Sequence, residues 1–177
     1  MNNPANHSPV IESVSERSQL SEIAALADVI WREHYVSIIS QGQIEYMLRK
    51  MYGLEVLEHQ LRHEQVSFDC LRLADRLIGF ASYGPTGTPR EIKLHKLYLL
   101  PSEHRKGYGS LLLKHIEGVA VKRGFECLIL AVNKRNHSAI RFYERTGFCV
   151  REKIVLDIGG GFVMDDYVME KKLLTNP

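Results

Sequence analysis

The chain has 177 residues, of which 45% are hydrophobic and 25% are charged, a composition typical of one folded globular domain rather than a disordered or fibrous protein. Its formal net charge is only +2, and the Lys and Arg residues are spread along the chain without a basic tail. Because nucleic-acid binders usually concentrate positive charge on one face, we expect no nucleic-acid partner.

The first third of the chain is predicted to be mostly helical. A short strand is expected at Val10–Val14, and two helical patterns lie at Gln41–Lys50 and Leu54–His63. Residues 1–9 are polar and are predicted to be disordered, so a single domain is expected over residues 10–174. A further helix, before Gln41, is predicted from apolar and aromatic side chains at helical spacing: Leu20, Ile23, Ala27, Ile30, Trp31 and His34.

The remaining two thirds of the chain alternate between strand and helix patterns. Val66–Ala74 and Leu77–Tyr83 form a predicted hairpin. The whole order of elements predicts a mixed α/β single domain. The elements expected after the hairpin are a strand at Glu91–Leu100, a helix from Gly107 to Gly124, a buried strand at Glu126–Val132, a helix at Ser138–Arg145 and a hairpin of Cys149–Asp157 and Phe162–Leu174.

Cysteine, histidine and hydropathy patterns restrict the class of protein further. Cys70, Cys127 and Cys149 are odd in number and lie in apolar surroundings, so they are predicted to be reduced core residues. The histidines form no H-E-x-x-H pattern, so no metal is predicted. Residues 1–9 lack the basic leader and apolar core of a signal peptide, and no apolar stretch approaches the ~18 residues of a membrane span. A cytoplasmic location without a membrane partner is therefore expected.

A glycine-rich turn lies between a predicted strand and a predicted helix. The segment His104–Gly109 follows Pro101 and runs into the helix at Ser110. Glycines let the backbone approach a ligand closely, and the free N–H groups of a helix start, beside two cations, suit a pyrophosphate. The same glycines are also common where they only shape a turn. The dinucleotide-binding pattern does not fit, because Leu112 stands where a third glycine is needed.

Two sequence blocks resemble the coenzyme A-binding region of the GNAT superfamily of N-acetyltransferases. The family's [QR]-x-x-G-x-[GA] turn, after an L-Y-V strand and a proline, corresponds to Leu97–Pro101 followed by His104–Gly109. The family's N-x-x-A-x-x-F-Y-x-x-x-G-F block corresponds to Asn136–Phe148. The resemblance covers roughly Leu71–Leu173. It implies an α/β GNAT fold, with a mixed central β-sheet of about six to seven strands and helices on both faces, and acetyl-CoA as the co-substrate.

The resemblance also implies which residues bind the coenzyme. Backbone of the strand would pair with the pantetheine arm, the turn would hold the pyrophosphate, and the start of the next block would line the coenzyme. One departure is His104, where the family has Gln or Arg, although an imidazole still donates one hydrogen bond. The implied coenzyme residues are Leu97, Tyr98, Leu99, His104, Arg105, Lys106, Gly107, Tyr108, Gly109, Ser110, Asn136 and Ser138.

Acetyl transfer to an amine requires a neutral nucleophile and a proton for the departing thiolate. Tyr143 matches the family position that supplies this proton, although Phe142 and Tyr143 are alternatively packing residues of a short helix. Glu91 and His95 are candidate bases on the preceding strand, and His95 is the better placed of the two. Ordered water is the alternative, because no single base is required.

The acceptor side is expected at the last hairpin. Asp165 and Asp166 follow each other inside a strand pattern, where aspartate is disfavoured, so they indicate either a cation-binding site or charged edge residues. The segment Phe162–Glu170 resembles the C-terminal strand of bacterial polyamine N-acetyltransferases. Trp31 and Tyr35 are predicted to line the opposite wall, with Trp31 alternatively a core residue.

These patterns together predict an N-acetyltransferase that transfers the acetyl group of acetyl-CoA to a primary amine such as a polyamine or another small amine. The alternatives are acetylation of a peptide or protein amino group, and a non-catalytic acyl-CoA-binding regulatory module. A homodimer is compatible with the sequence.

Overall fold

The arrangement of strands follows from the sequence patterns with few changes. A computed structural model of the chain describes residues 8–173. The strands are β1 (Pro9–Ser13), β2 (Ser67–Leu73), β3 (Arg76–Pro85), β4 (Glu91–Leu99), β5 (Cys127–Asn133), β6 (Cys149–Gly159) and β7 (Phe162–Lys172). The helices are α1 (Arg17–His34), α2 (Gln41–Tyr52), α3 (Leu54–His63), α4 (Tyr108–Lys122) and α5 (His137–Arg145).

All seven strands form one sheet in the order β1-β2-β3-β4-β5-β7-β6. Every neighbouring pair is antiparallel except β4 and β5, which are parallel. The parallel pairing is short, running only from Glu91 opposite Cys127 to Leu94 opposite Leu130. Beyond that point β5 stays paired with β7, as far as Asn133 opposite Asp166. The sheet therefore splits open at its centre, between the last part of β4 and the last part of β5.

Helices cover both faces of the sheet, which confirms the predicted mixed α/β architecture. Helices α4 and α5 pack on one face through Leu112, Leu113, Ile116 and Ile140, all of them buried. Helices α1, α2 and α3 pack on the opposite face, where their buried apolar residues meet Phe68, Cys70 and Phe80 of the sheet: Leu20, Ile23, Ala27, Ile30, Trp31, Ile44, Met47 and Leu57.

The predicted domain boundaries lie close to the ends of the described chain. Strand β1 begins at Pro9, one residue inside the segment predicted to be disordered, because its backbone pairs with Leu73 of β2. Residues 1–7 and 174–177 lie outside the described residues. Among residues 8–173, no helix has both the length and the apolarity needed to cross a membrane.

The prediction that all three cysteines are core residues is wrong for Cys149. Cys70 is buried and Cys127 is half-buried, whereas Cys149 is exposed, and all three are free thiols. Cys149 begins β6, the edge strand of the sheet, most of whose residues are exposed. The apolar residues beside Cys149 in sequence therefore do not indicate burial, because Cys149 begins a strand that is paired on one side only.

Lys96 on β4 is a buried cation that the sequence patterns did not reveal. Only 3% of its surface is exposed, and its Nζ donates a hydrogen bond to Gln60 Oε1 at 3.2 Å. The Nζ atom also lies 5.3 Å from the centre of the Tyr52 ring and 5.8 Å from that of Phe68. Burial is the main cause that lowers the pKa of Lys96, to about 8. The amide and the two rings thus compensate only part of the cost of removing this charge from water.

We expect Lys96→Met to stabilise the protein, because methionine keeps the packing and removes the buried charge. Since the pKa falls from 10.5 in the unfolded chain to about 8 in the fold, the gain at pH 7 is roughly 2 to 3 kcal/mol of unfolding free energy. The gain should shrink between pH 8 and 10.5, where folding itself releases the proton. Urea unfolding at pH 7 and pH 10 measures both effects. Lys114→Met, at an exposed position of α4, is the control, and a Lys96→Met protein with no gain at pH 7 would contradict the expectation.

Candidate active site

A cavity of about 660 Å³ lies where β4 and β5 separate, and we call it the central cavity. Its walls come from the last residues of β4, the turn before α4, the last residues of β5, helix α5 and the end of α1. Most of the residues predicted to bind a coenzyme meet here. The cavity is lined, among others, by Leu97, Tyr98, Leu99, His104, Arg105, Gly107, Gly109, Ser110, Asn136, Ser138 and Tyr143.

The wall formed by β4 offers free backbone groups to a ligand. On one side, Leu97 and Tyr98 pair with Ala81 and Phe80 of β3. On the other side they have no strand partner among the described residues, because β5 has already diverged after Leu94. Unpaired backbone N–H and C=O groups inside a cavity need hydrogen-bond partners, and an extended ligand with amide groups provides them.

The turn before α4 has the backbone conformation of a phosphate-binding loop. Gly107 has a φ of +86° and precedes the first residue of α4, and Arg105 has a φ of +62°. A Cβ added to Gly107 would meet no protein atom within 4 Å, so glycine is required there by its backbone conformation. The N–H groups at the start of the fifteen-residue helix α4 face the end of the cavity that Gly109 and Ser110 line.

The buried carboxylate of Glu103 holds this turn in place. It is 3% exposed, it binds the guanidinium of Arg76, and it accepts a hydrogen bond from Lys106 Nζ at 3.0 Å. Lys106 and Arg76 therefore lower the pKa of Glu103. Because its ammonium binds Glu103, Lys106 does not line the cavity, and neither does Tyr108. A single glutamate inside the turn carried no motif that would have revealed this role.

Several of the predicted coenzyme residues already have partners within the protein. His104 Nε2 lies 3.1 Å from the carbonyl oxygen of Leu99, so the imidazole joins the turn to β4. Asn136 Oδ1 caps α5 by accepting hydrogen bonds from the Ala139 N–H at 3.2 Å and from Ser138 Oγ at 3.0 Å. Asn136 therefore fixes the start of α5 beside the cavity.

Helix α5 also brings two arginines to the cavity that the sequence analysis did not single out. Arg141 and Arg145 are one helical turn apart, both line the cavity, and both are exposed. Their spacing is the sequence signal that could have identified them, because residues i and i+4 lie on the same face of a helix. Together with Arg105 they give the cavity a positive side.

Tyr143 lies on α5 with its ring 8% exposed, between Phe142 at 5.2 Å and Phe148 at 5.5 Å between ring centres. Its hydroxyl makes no hydrogen bond to any of residues 8–173, although the side chain lines the cavity. Burial raises the pKa of the Tyr143 phenol. The hydroxyl thus keeps its proton at neutral pH and is available to a ligand.

The two candidate bases on β4 differ in their surroundings. His95 lines the cavity at a bulge, where Leu94 and Lys96 pair with consecutive residues of β3 and His95 is the extra residue. The surrounding protein atoms, with the cations of Lys93 and Lys96, lower the pKa of His95 to about 4, so the imidazole is neutral at pH 7. Glu91 lies at the other end of β4, where it is ion-paired with Arg151.

The four residues predicted to bind the acceptor do not form one cluster. Tyr35 lines the cavity, and its hydroxyl lies 3.4 Å from that of Tyr98. Trp31 stacks on Tyr35 with ring centres 4.3 Å apart, but it belongs to the core and is 3% exposed. Asp165 and Asp166 lie on opposite faces of β7, because neighbouring side chains of a strand alternate. Asp165 is exposed and ion-paired with Lys134, whereas Asp166 is 1% exposed.

Among the described residues 8–173, no group of three or more His, Cys, Asp or Glu side chains is arranged to hold a metal ion.

Comparison with known proteins gives a consistent result. The family model described as "Acetyltransferase (GNAT) family" matches residues 24–148. An uncharacterized N-acetyltransferase of Mycobacterium tuberculosis is 34% identical over 99 residues, which are 56% of this chain and 62% of that protein. The thialysine N-epsilon-acetyltransferase of Mus musculus is 25% identical over 130 residues, covering 60% of this chain and 76% of that protein.

Solved structures share the same architecture. The PaiA N-acetyltransferase of Thermoplasma acidophilum in complex with coenzyme A superposes with a TM-score of 0.78 at 28% identity, covering 93% of this chain and 99% of that one. The ribosomal-protein-S18-alanine N-acetyltransferase of Escherichia coli has a TM-score of 0.71 at 19% identity, covering 96% and 97%, a likeness of fold alone. With the family model matched across the central sheet and the cavity, the chain belongs to the GNAT acetyltransferase family.

Proposed function

We propose that this protein is an N-acetyltransferase that transfers the acetyl group of acetyl-CoA to a primary amine. The observation that carries the proposal is the central cavity, in which an unpaired strand edge, a positive-φ glycine turn at a helix start and a free tyrosine hydroxyl lie together. The solved relative with 28% identity was crystallised with coenzyme A, which supports the same ligand here.

In this proposal the coenzyme spans the cavity from the helix start to the split in the sheet. The pantetheine amides pair with the free edge of β4 at Leu97–Leu99, in place of the strand that has diverged. The pyrophosphate lies at the N-terminus of α4, where the backbone of Gly107–Ser110 donates hydrogen bonds and Arg105 supplies charge. Lys106 acts on the coenzyme indirectly, by fixing the turn through Glu103, and His104 does so through Leu99.

The reaction forms a bond between the amine nitrogen and the thioester carbon and breaks the bond between carbon and sulfur. The departing sulfur needs a proton, and the Tyr143 hydroxyl, which makes no hydrogen bond to any of residues 8–173, lines the cavity as a proton donor. A phenol with a raised pKa keeps its proton at neutral pH, so it can donate that proton to the sulfur as negative charge develops there. Neutral His95 is a weak base, since an imidazole with a pKa of about 4 rarely carries a proton at pH 7.

The acceptor is a small primary amine in this proposal, with a polyamine as one candidate. The mouse relative is named for an acetyl transfer to thialysine, an amine on an amino acid, which supports the broader class of small amines. A peptide amino group remains the alternative acceptor. A cytoplasmic location and a homodimer also remain predictions, and the exposed edge strand β6 is where a second copy has a free strand to pair with.

A thiol-release assay with acetyl-CoA tests this function directly. The acceptor panel contains polyamines, amino acids with side-chain amines, aminoglycosides and peptides with free amino termini. We expect acetyl-CoA to raise the melting temperature, because a ligand that binds only the native state stabilises it. We expect coenzyme A release with small amines above the rate without acceptor. Thermal stabilisation without release for any acceptor would instead identify a coenzyme-binding module.

Gly109→Ala should weaken coenzyme binding without harming the fold. The added Cβ would lie at ordinary contact distance, 3.5 Å from Phe142 and 3.6 Å from Leu99, and alanine favours the helix by about 0.5–1 kcal/mol over glycine. The same Cβ occupies the cavity wall where the backbone meets the coenzyme. Isothermal titration should therefore give a Kd for acetyl-CoA raised at least about tenfold, a cost of about 1.4 kcal/mol. Gly118→Ala, also within α4 and with nothing near its Cβ, is the control, and equal affinities of the two variants would place the coenzyme elsewhere.

Tyr143→Phe should slow the chemical step while leaving coenzyme binding intact. Phenylalanine keeps the ring between Phe142 and Phe148 and removes only the hydroxyl, which has no described protein partner. A positioned proton donor contributes about 10²- to 10⁴-fold in rate, and a thiolate leaves fairly well unaided, so we expect a loss of kcat near the lower end. Steady-state kinetics with the best acceptor of the panel measures it. An unchanged kcat, where chemistry limits the rate, would mean that water supplies the proton.

A further inference from the structure

Asp166 is the most unusual polar group near the central cavity. Its carboxyl group is 1% exposed, and Oδ1 has no hydrogen-bond partner among the described residues. A buried carboxylate without partners is costly, because it loses hydration and gains nothing in return. Burial, together with the charge of neighbouring Asp165, raises the pKa of Asp166 to about 6. Such a group in a folded protein needs a reason other than stability.

Strand register places Asp166 directly behind the acceptor side of the cavity. It is the cross-strand partner of Asn133, which lines the cavity at the end of β5. Met164, two residues earlier, packs with the α1–α3 core, so Asp166 faces the same side of the sheet. Tyr35 at the end of α1, also a wall residue, lies within electrostatic reach of Asp166. Asp166 does not itself line the cavity, so its carboxylate lies just behind the wall formed by Asn133 and Tyr35 and is reached only when these side chains move.

The charges around Asp166 leave it without an ion pair. Lys134 lies near enough to lower its pKa, but the Lys134 ammonium is bound to Asp165. Lys93 on β4 also lowers the pKa of Asp166 from a distance, without a contact within 4 Å. Asp165 opposes both lysines, and Tyr35 contributes a neutral phenol. A cation from outside the protein is the missing partner.

We propose that Asp166 binds the ammonium group of the acceptor and receives its proton, so that this enzyme selects cationic amines. The inference rests on the proposed acetyltransferase function. The acceptor R–NH₃⁺ gives one proton to the Asp166 carboxylate and becomes R–NH₂. The nitrogen lone pair then attacks the thioester carbon, the carbon–sulfur bond breaks, and the sulfur takes the proton of Tyr143. The second proton lost by nitrogen restores the Tyr143 phenol, and Asp166 releases its proton to water.

This assignment separates the two neighbouring aspartates of β7. Asp165 is on the opposite face of the strand, exposed and bound to Lys134, and so cannot meet an acceptor in the cavity. A carboxyl group with a pKa near 6 is ionised at neutral pH and still accepts a proton readily.

The test compares Asp166→Asn with Asp165→Asn as the matched control. We expect Asp166→Asn to lower kcat/KM for a cationic amine by about 10²-fold, the size of a lost general base, and Asp165→Asn to change it less than about threefold. The kcat/KM of the parent enzyme should fall as the pH is lowered through 6. The kcat/KM of Asp166→Asn should not show this fall, because the variant has no carboxylate at this position to protonate. Acetyl-CoA affinity, measured by titration, should be the same in all three proteins.

Stability gives a second readout that a merely structural aspartate would not produce. Because the folded pKa of Asp166 lies above the unfolded value of 3.8, the ionised carboxylate destabilises the fold above pH 6, and this cost disappears below pH 4. Asp166→Asn should therefore melt at a higher temperature than the parent at pH 7 and at about the same temperature at pH 4.

The possible results separate the inference from the function on which it rests. A parent protein that binds acetyl-CoA but acetylates no amine overturns the proposed function, and the role of Asp166 with it. An active parent whose Asp166→Asn variant keeps its kcat/KM and pH profile overturns the inference alone. An Asp166→Asn protein that is less active but also melts lower at pH 7 identifies Asp166 as structural and overturns it as well.

Discussion

The structure depends on the short parallel pairing of β4 with β5. Four residue pairs, ending at Leu94 opposite Leu130, hold the two halves of the sheet together, and then the strands part. They part because β5 remains in register with β7 along its whole length, while β4 remains paired with β3. In a continuous sheet the backbone N–H and C=O groups of each inner strand bond to both neighbouring strands. Where the sheet splits, the groups on the edge of β4 that faces the split have no strand partner. The cavity and its affinity for an amide-bearing ligand are therefore consequences of where the pairing stops.

The two sides of the split have different physical characters. On the side of α4 and α5, helix-start N–H groups and the arginines Arg105, Arg141 and Arg145 suit an anionic ligand. On the side of α1 and β7, the charge behind the wall is the carboxylate of Asp166, which suits a cation. In the proposed function, the anionic coenzyme and the cationic acceptor would approach the thioester from opposite sides, and electrostatic attraction would favour a different side for each ligand.

The fold and most of the residues that line the cavity along β4 and the turn were predictable because their signals are local. Strand and helix periods, glycines and prolines act over a few residues, so the elements from β2 to β7 were placed within two residues of their observed bounds. The coenzyme turn is likewise contiguous in sequence. The acceptor side is different, because Tyr35, Asn133 and Asp166 come from three distant segments. The sequence pattern indicated Asp165 and Asp166 together. Only the structure of β7 shows that their side chains lie on opposite faces of the sheet.

The sequence does not show which ionisable side chains are buried. Three of those that are buried in the structure differ in how their charge is compensated. Glu103 is buried with two cationic partners, so its charge is compensated and it holds a turn. Lys96 is buried against an amide and two aromatic rings, a partial compensation that leaves a cost to stability. Asp166 is buried, and its Oδ1 has no hydrogen-bond partner among residues 8–173. Because proteins are stable by only a few kcal/mol, a cost of that size is tolerated most readily where a ligand removes it, and Asp166 lies directly behind the wall of a cavity with room for a cation.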